Sequence, residues 1–282
     1  MNSALSDVTR EIENYIKKYK DLTDAINYLV NDASEKGYNI PSIYQRHINS
    51  NNAYEEVYTL YEEMKSSSIE DTKRKIESIY ADYDIRYGSN WGWCSLNKAG
   101  CIIDCVNEIC SIRQDPVCVE IGVYGGKSVI PVVLELKRFQ KGKLYAIDPW
   151  DNIEATKGYS GEHYNFWFNA DLNGIYNLFT SLISENGCQD FVEVIRKSSD
   201  EAPEIDNIDF LYIDGQHTEQ AIRDVHKYAS KVFLNGYCVV DDINRDVWGD
   251  VSTQTPAILE SMGFQAQRSI DDAIIFKRIS IQ

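Results

Sequence analysis

The stretch Val117-Cys118-Val119-Glu120-Ile121-Gly122-Val123-Tyr124-Gly125-Gly126 decides the fold of this chain. Its first five residues form a short apolar run, and its glycines are followed by a helical pattern of apolar residues, Val129, Val132, Val133 and Leu136. Glycines between a strand and a helix let the backbone approach a nucleotide ligand closely, because a Cβ would clash in the tight turn. Such a loop serves a dinucleotide, a phosphate or another nucleoside cofactor, and in some proteins it is only a turn.

Short apolar runs alternate with helical stretches along the rest of the chain. After the run at 117–121, the others are 143–147, 191–195, 210–213 and 237–240. Strands that are apolar on both faces and separated by helices are typical of a parallel sheet covered on both sides. Two late runs, 263–267 and 273–277, are too close for a crossover helix, so we expect them to form an antiparallel hairpin. The sequence therefore predicts an α/β fold with a Rossmann-like, doubly wound, seven-stranded sheet and an antiparallel terminal hairpin.

The first third of the chain has a different pattern. Apolar residues recur at steps of three and four between residues 7 and 87, as they do on one face of a helix. The 282 residues suffice for one large α/β domain and a smaller appendage. We therefore predict a helical N-terminal cap over residues 1–90 and an α/β domain over residues 91–282. The cap holds no recognisable chemistry, and we expect it to be a structural appendage or to join copies of the chain in a homo-oligomer.

Composition excludes several classes of partner. The 44 acidic and 28 basic side chains give a net charge of -16, which repels phosphate backbones and anionic membranes. We therefore expect neither a nucleic acid nor a membrane as partner. The N-terminal residues do not resemble a leader peptide, and no run of eighteen apolar residues occurs, so we expect a cytoplasmic protein. Seven cysteines, an odd number, do not imply disulfides.

A second motif, Tyr145-Ala146-Ile147-Asp148-Pro149-Trp150, places an acidic residue at the end of the second predicted strand. A carboxylate there, about 20 or more residues beyond the glycines, can accept hydrogen bonds from both hydroxyls of a ribose. The residues Gly126-Lys127-Ser128 mimic the end of a P-loop, but that motif needs a glycine where this chain has Ile121. The sequence therefore argues against a nucleoside triphosphatase.

Four segments in this order resemble one family of bacterial class I S-adenosylmethionine (SAM)-dependent methyltransferases. They are the glycine stretch with Lys127 and Ser128, then Ile147–Trp150, Leu211–His217 and Val239–Asn244. The resemblance covers roughly residues 90 to 278, and its members include metal-dependent O-methyltransferases that modify sugars of macrolides and other natural products. It implies that SAM contacts the first strand and its loop, that an acid binds the ribose and that serines lie near the adenine. The predicted cofactor residues are Glu120, Gly122, Tyr124, Gly126, Asp148, Ser198, Ser199 and Asp214.

A third feature is a group of carboxylates, Asp214, Asp241 and Asp242, at the ends of the fourth and fifth predicted strands. Ligands of open α/β sheets bind at this carboxyl edge. Converging acids repel one another unless a cation lies between them, and oxygen ligands favour Mg²⁺, with Mn²⁺ as the alternative. We therefore predict that all three bind a metal. The open alternative is that Asp242 caps the next element and Asp214 only bonds backbone amides.

His217 follows Asp214 by three residues, and we predict that it is the catalytic base. A hydroxyl is a weak nucleophile at neutral pH, so its methylation needs a metal that acidifies it and a base that removes its proton. An imidazole, with an ordinary pKa near ~6.5, suits that task. In the enzymes that this chain resembles, the base has the same offset from the metal aspartate. The alternative is a histidine that only caps a helix or lies in a solvated turn.

These features predict metal-assisted methyl transfer from SAM to a hydroxyl of a sugar or glycosylated metabolite. The acceptor would be a small molecule or a glycan, and the polar and aromatic stretch between Pro149 and Asn173 is long enough to form a lid over it. One alternative is an NAD-dependent oxidoreductase on a similar sheet. The other is a fold-related hydroxylase-like or non-catalytic SAM-binding protein.

Overall fold

The computed structural model of the chain describes residues 53–243 and 250–280. The helical pattern before residue 53, with the oligomer contacts expected of it, lies outside this part of the chain. Contacts define two compact units: one holds the described residues up to Glu70 with Arg138–Gln140, and the other holds Asp71–Lys137 with the chain from Lys141. The sheet and every site residue discussed below belong to the second unit. The domain boundary expected at residue 90 stays a prediction.

The second unit is built on a sheet that has seven strands within the described ranges. The strands are β1 (Val117–Ile121), β2 (Lys143–Ile147), β3 (Val192–Ile195), β4 (Ile208–Ile213), β5 (Val232–Val240), β6 (Phe264–Ile270) and β7 (Ala273–Arg278). They lie in the order β3-β2-β1-β4-β5-β7-β6. Strands β1 to β5 pair in parallel, and β7 is antiparallel to both β5 and β6. The predicted Rossmann-like sheet with an antiparallel terminal hairpin is therefore confirmed.

The α-helices precede the first strand and lie between later strands along the chain. They are α1 (Ala53–Tyr87), α2 (Leu96–Ile112), α3 (Val129–Phe139), α4 (Asn152–Thr156), α5 (Gly161–Asn169), α6 (Leu172–Glu185), α7 (Glu219–Asp224) and α8 (Asp250–Ser261). A π-helical turn, Val225–Ala229, continues α7. The stretch between β2 and α6, which was predicted as a lid, contains the two short helices α4 and α5. Among the described residues, no helix is long and apolar enough to cross a bilayer.

The centre of the sheet is a dry apolar layer. Every residue of β4 is buried, because this strand has strands on both sides and also contacts α2 and the π-helical turn after α7. Val119 of β1, Leu211 of β4 and Cys238 of β5 are each 0% exposed and belong to one hydrophobic cluster. Each fully buried aliphatic side chain stabilises the fold by ~1.5–3 kcal/mol. This packing fixes the ends of β1, β4 and β5 relative to one another.

The strand order places the site. The chain runs from β1 outwards through β2 to β3 and then crosses to β4 on the other side of β1. In open α/β sheets, ligands bind outside the carboxyl ends of the strands at the point where the order reverses. Here that point lies between β1 and β4, where the glycine loop meets the turn that contains Asp214.

Candidate functional site

The glycine loop contacts the turn after β4 directly. Gly122 has φ +84°, and a Cβ on it would overlap the backbone carbonyl of Asp214. Gly126 has φ +83°, and a Cβ there would meet the ring of Phe179 at 2.5 Å. Both positions need glycine, because a left-handed backbone and a close neighbour coincide there. The packing of the loop against Asp214 and Phe179 thus requires these glycines, and the binding of a nucleoside cofactor on the loop stays a prediction.

Asp148 holds the glycine loop in place. Its Oδ2 accepts the backbone N–H groups of Val123 and Tyr124, each at 3.0 Å, and its Oδ1 accepts the N–H of Trp150 at 2.7 Å. Burial raises the pKa of Asp148, and these three hydrogen bonds act in the opposite direction. A carboxylate offers about four acceptor positions, so roughly one remains for a ligand. The expected contact of Asp148 with the hydroxyls of a ribose stays a prediction.

Glu120 lies inside the protein, at 0% exposure, and not in an open cleft. Its Oε1 accepts a hydrogen bond from Ser128 Oγ at 2.6 Å, whereas Oε2 has no partner among the described residues. Burial, with contributions from Asp241 and Asp148, raises the pKa of Glu120 to about 8. At neutral pH the carboxyl therefore keeps its proton. The predicted contact between Glu120 and SAM requires either a rearrangement or an intermediary group.

The raised pKa of Glu120 predicts how stability depends on pH. Folding takes up a proton between the ordinary pKa of the unfolded chain and about 8, so the wild type loses stability as pH rises through this range. Glu120→Gln removes that loss, and its gain in unfolding temperature over the wild type should be larger at pH 8 than at pH 5. Thermal unfolding at both pH values measures this. Glu193→Gln, at an exposed position of β3, should show no such difference. An equal gain at both pH values for Glu120→Gln would contradict the assignment.

Three predicted site residues meet at the carboxyl edge. Asp214, Asp242 and His217 each offer one ligand atom within 4.8 Å of the others, and His217 Nε2 is 3.0 Å from Asp242 Oδ2. Asp242 reaches this place with φ +57°, which is uncommon for a residue with a Cβ. Burial, with the charges of Asp241 and Asp242, raises the pKa of Asp214 well above its ordinary value. A cation or a proton at this edge would relieve the repulsion between the carboxylates.

The third predicted metal ligand, Asp241, faces a different partner. Both of its carboxylate oxygens accept hydrogen bonds from the buried ammonium of Lys98, at 2.6 and 2.8 Å. The hydroxyl of Tyr212 donates to the same carboxylate at 2.5 Å. Asp241 also offers a ligand atom within 4.8 Å of others on Asp242 and Asp272, so the prediction that it binds a metal stays a prediction. Asp241 already has a positive partner, and we leave it out of the metal site proposed below.

The lid contacts this edge at two places. The phenol oxygen of Tyr159 accepts the backbone N–H of His217 at 2.9 Å, and Gln216 Nε2 donates to the carbonyl of Glu154 at 2.5 Å. At the other end, Trp167 of α5 meets the ring of Tyr124 edge to face, with ring centroids 5.8 Å apart. The lid therefore extends from the turn of His217 to the glycine loop.

The two serines predicted near the adenine have different surroundings. Ser198 lines an open cleft of about 440 Å³ beside β3, together with Pro149, Asp151, Arg196 and other residues of this edge. Ser199 is 7% exposed, and its Oγ accepts a hydrogen bond from Gln220 Nε2 at 3.1 Å. Of the two, Ser198 is the one that a ligand can reach.

The end of α1 supports the glycine loop, which the sequence reading missed. The hydroxyl of Tyr80 donates to the carbonyl of Lys127 at 2.6 Å, and the Lys127 ammonium lies 4.7 Å from the ring centroid of Trp91. A Cβ on Gly125 would overlap the carbonyl of Trp91, so that segment lies directly against the loop. Tyr80 was visible in the sequence only as part of a helical stripe, and nothing local links it to a loop 47 residues away.

Comparisons with known proteins bear on the kind of domain and on its fold. Residues 119–243 match the family described as a methyltransferase domain. The O-methyltransferase NovP has a similar fold, with a TM-score of 0.53 and 17% identity, over 67% of this chain and 84% of that chain. The O-methyltransferase TomG from Streptomyces achromogenes aligns with 14% identity and a TM-score of 0.47 over 74% of this chain and 89% of its own. No curated protein sequence matches the chain.

The matched segment contains the end of β1, the glycine loop, Asp148, the turn of His217 and the carboxyl end of β5. The alternative of an NAD-dependent oxidoreductase does not account for this match. The antiparallel terminal hairpin is the one that the spacing of the last two apolar runs predicts. Residues 119–243 are thus similar to a methyltransferase domain, in agreement with the resemblance seen in the sequence.

Proposed function

We propose that the protein transfers the methyl group of SAM to a hydroxyl of a sugar or glycosylated metabolite, with help from a divalent cation, in the cytoplasm. One observation carries this proposal: the glycine loop touches the turn that brings Asp214, Asp242 and His217 together. A cofactor on the loop would therefore present its methyl group beside an acidic edge with a base. NovP, which has a similar fold, is described as an O-methyltransferase.

The pair of His217 and Asp242 suits removal of a proton from a hydroxyl. With Nε2 at 3.0 Å from Asp242 Oδ2, the imidazole has a carboxylate that orients it and offsets the positive charge it gains with a proton. The O–H bond of the acceptor breaks as the O–CH₃ bond forms, and the sulfonium leaves as the neutral thioether S-adenosylhomocysteine. Alignment of the oxygen, methyl carbon and sulfur supplies the remaining rate enhancement.

A divalent cation fits the carboxylates of this edge. Asp214 and Asp242 are hard oxygen donors, and the raised pKa of Asp214 indicates that positive charge would be stabilised beside it. Bound there, Mg²⁺ or Mn²⁺ would make a nearby acceptor hydroxyl more acidic. We assign the carboxylates to the cation and the imidazole to the proton, because Mg²⁺ takes oxygen ligands in preference to nitrogen.

The aromatic surface beside the loop supports a ring-shaped acceptor. The indole of Trp93 is 51% exposed and stacks on Tyr124, with ring centroids 5.0 Å apart. Phe166 and Trp167 of α5 extend this surface at centroid distances of 6.3 and 6.5 Å from Trp93. Aromatic faces with a few polar groups are typical of small-molecule sites. The net charge of -16 favours a neutral or cationic acceptor over an anionic one.

A chelation experiment tests whether the divalent cation serves methyl transfer and not the binding of SAM. We expect excess EDTA to abolish turnover and to leave the affinity for SAM largely unchanged, because the carboxylates face the acceptor and the glycine loop holds the cofactor. Turnover assays and calorimetric titration of SAM, each with and without EDTA, measure the two effects. Full turnover in EDTA would remove the cation from the proposal.

A labelled-methyl assay tests the acceptor class. The protein is incubated with SAM that carries a CD₃ group and with pairs of compounds that differ only in a sugar, each a glycoside and its aglycone. We expect mass spectrometry to find the label on a sugar oxygen of glycosides and not on the aglycones. Label on a nitrogen, on a carbon or on the aglycone would overturn the proposed acceptor, and SAM binding without transfer to any compound would favour a non-catalytic SAM-binding protein.

A further inference from the structure

Lys98 is a buried cation beside the proposed catalytic pair. It lies in the first turn of α2, and its side chain is 3% exposed. Its ammonium donates to both oxygens of Asp241, at 2.6 and 2.8 Å, and to Oδ1 of Asp272 at 2.9 Å. An ammonium is costly to bury unless it is paired and hydrogen-bonded, and Lys98 meets both conditions.

The start of α2 fixes the position of Lys98. Ser95 caps this helix, since its Oγ accepts the N–H of Lys98 at 3.0 Å. The same Oγ donates to Asp271 at 2.5 Å in the turn between β6 and β7, which also carries Asp272. Helix α2 is thus attached to the terminal hairpin, and Lys98 cannot move away from Asp241 without breaking both contacts.

A chain of contacts leads from Lys98 to the imidazole. Oδ1 of Asp241, which Lys98 holds, accepts the backbone N–H of Asp242 at 2.9 Å. This hydrogen bond supports the left-handed backbone of Asp242, at φ +57°. In that conformation its carboxylate lies 3.0 Å from His217 Nε2. A shift of the Asp241 carboxylate would therefore be passed on to the carboxylate that orients the imidazole.

The charges are consistent with a permanent ion pair. Burial acts against the charged form of Lys98, but Asp241 and Asp272 outweigh it and raise the pKa of the ammonium above its ordinary value. The hydrogen bonds to Asp241 and Asp272 thus favour the charged form of Lys98. Asp241 has no need of a second cation, whereas Asp214 and Asp242 lie outside the direct hydrogen bonds of this ammonium.

We propose that Lys98 is a positioning residue: it is the resident counter-cation of Asp241, it holds Asp242 against His217 through Asp241, and it excludes Asp241 from the set that binds a divalent cation. The role of Lys98 in turnover rests on the function proposed above. The placement of Asp242 and His217 does not, and it can be tested without substrate.

The imidazole signals of the chain provide that test. The sequence has four histidines, so the ¹⁵N resonances of His217 can be assigned by comparison with His217→Gln. We compare the wild type with Lys98→Met/Asp241→Asn, which removes both charges and so avoids an unpaired buried carboxylate. The matched control is Lys277→Met/Glu108→Gln, which removes another ion pair of the same domain, with N–O distance 2.5 Å. We expect the His217 resonances to move in the first variant, as in Asp242→Asn, and to stay in place in the control. Unmoved resonances in a folded first variant would overturn the positioning role.

Substitution of the adjacent aspartates Asp241 and Asp242 tests which carboxylates bind the divalent cation. Mn²⁺ binding is measured by electron paramagnetic resonance for Asp241→Asn, with Lys98→Met to keep the pair neutral, and for Asp242→Asn. We expect a loss of affinity of roughly 10- to 100-fold for Asp242→Asn and a much smaller loss for the Asp241 variant. Equal losses of Mn²⁺ affinity in the two variants would mean that Asp241 also binds the cation, and would overturn this part of the inference. If the wild type binds no Mn²⁺, the proposed cation fails, and the imidazole signals alone decide the role of Lys98.

In turnover, the Lys98→Met/Asp241→Asn variant should lose roughly 10- to 100-fold in kcat at an unchanged KM for SAM. A merely structural role would alter both parameters or neither. An unchanged kcat would contradict the proposed positioning of the base.

Discussion

Gly122→Ala is expected to abolish measurable SAM binding. The added Cβ would overlap the carbonyl of Asp214 and lie 2.7 Å from the nitrogen of Gly215, neither of which can move without shifting the end of β4. A left-handed backbone costs a residue with a Cβ a further ~1–2 kcal/mol. We expect a loss of affinity of roughly 100-fold or more, which corresponds to ~2.8 kcal/mol. Calorimetric titration of SAM measures it.

Gly100→Ala is the matched control. Gly100 lies within α2, and a Cβ there would have no neighbour within 4 Å. Alanine should stabilise this helix by up to ~1 kcal/mol and leave SAM binding unchanged. If Gly122→Ala folds and binds SAM as the wild type does, the cofactor does not lie on this loop.

His217→Gln is expected to lower turnover by roughly 10²- to 10⁴-fold, because a general base of this kind contributes about that factor. SAM binding should remain, since the proposal assigns His217 to the proton of the acceptor and not to a contact with the cofactor. The residual activity should rise with pH as the acceptor hydroxyl ionises unaided. Turnover measured across pH, with SAM affinity measured in parallel, separates the two effects.

His226→Gln provides the comparison within the same segment. His226 is exposed on the π-helical turn after α7, and we expect wild-type turnover from this variant. A His217→Gln enzyme with wild-type turnover and an unchanged pH profile would make His217 a structural residue, and only the SAM-binding part of the account would remain.

The sequence predicted the fold, and it placed the candidate site at the edge of the sheet where the structure brings Asp214, Asp242 and His217 together. The apolar run before Gly122 indicates a strand. The alternation of short apolar runs with helical stretches indicates a parallel sheet. Both signals are local in the sequence, so they can be recognised without knowledge of distant contacts. Asp214 and Asp242 were also placed correctly beside one another, because the carboxyl ends of neighbouring parallel strands meet at one edge.

The partners of the site residues could not be predicted in the same way. Asp241 and Asp242 are adjacent in sequence and have ligand atoms within 4.8 Å of each other, yet their partners differ. Here Asp242 turns to His217, while Asp241 faces Lys98, which is 143 residues earlier in the chain. No local pattern relates a lysine in the first turn of a helix to a strand end so distant in sequence.

For the stretch predicted as a lid, too, the sequence indicated the segment but not its contacts. Its length and aromatic content between Pro149 and Asn173 predicted a cover for the site. The contact of Tyr159 with the backbone of His217 depends on how α4 and α5 pack, and an aromatic-rich sequence does not specify which ring contacts which turn.

Calorimetric titration of SAM into the wild-type protein tests the central claim most directly, because methyl transfer of any kind requires this cofactor on the glycine loop. The account predicts saturable binding at one site per chain, displaced by S-adenosylhomocysteine and lost in Gly122→Ala. A folded wild-type protein that shows neither heat of binding nor a change in unfolding temperature with saturating SAM would contradict it.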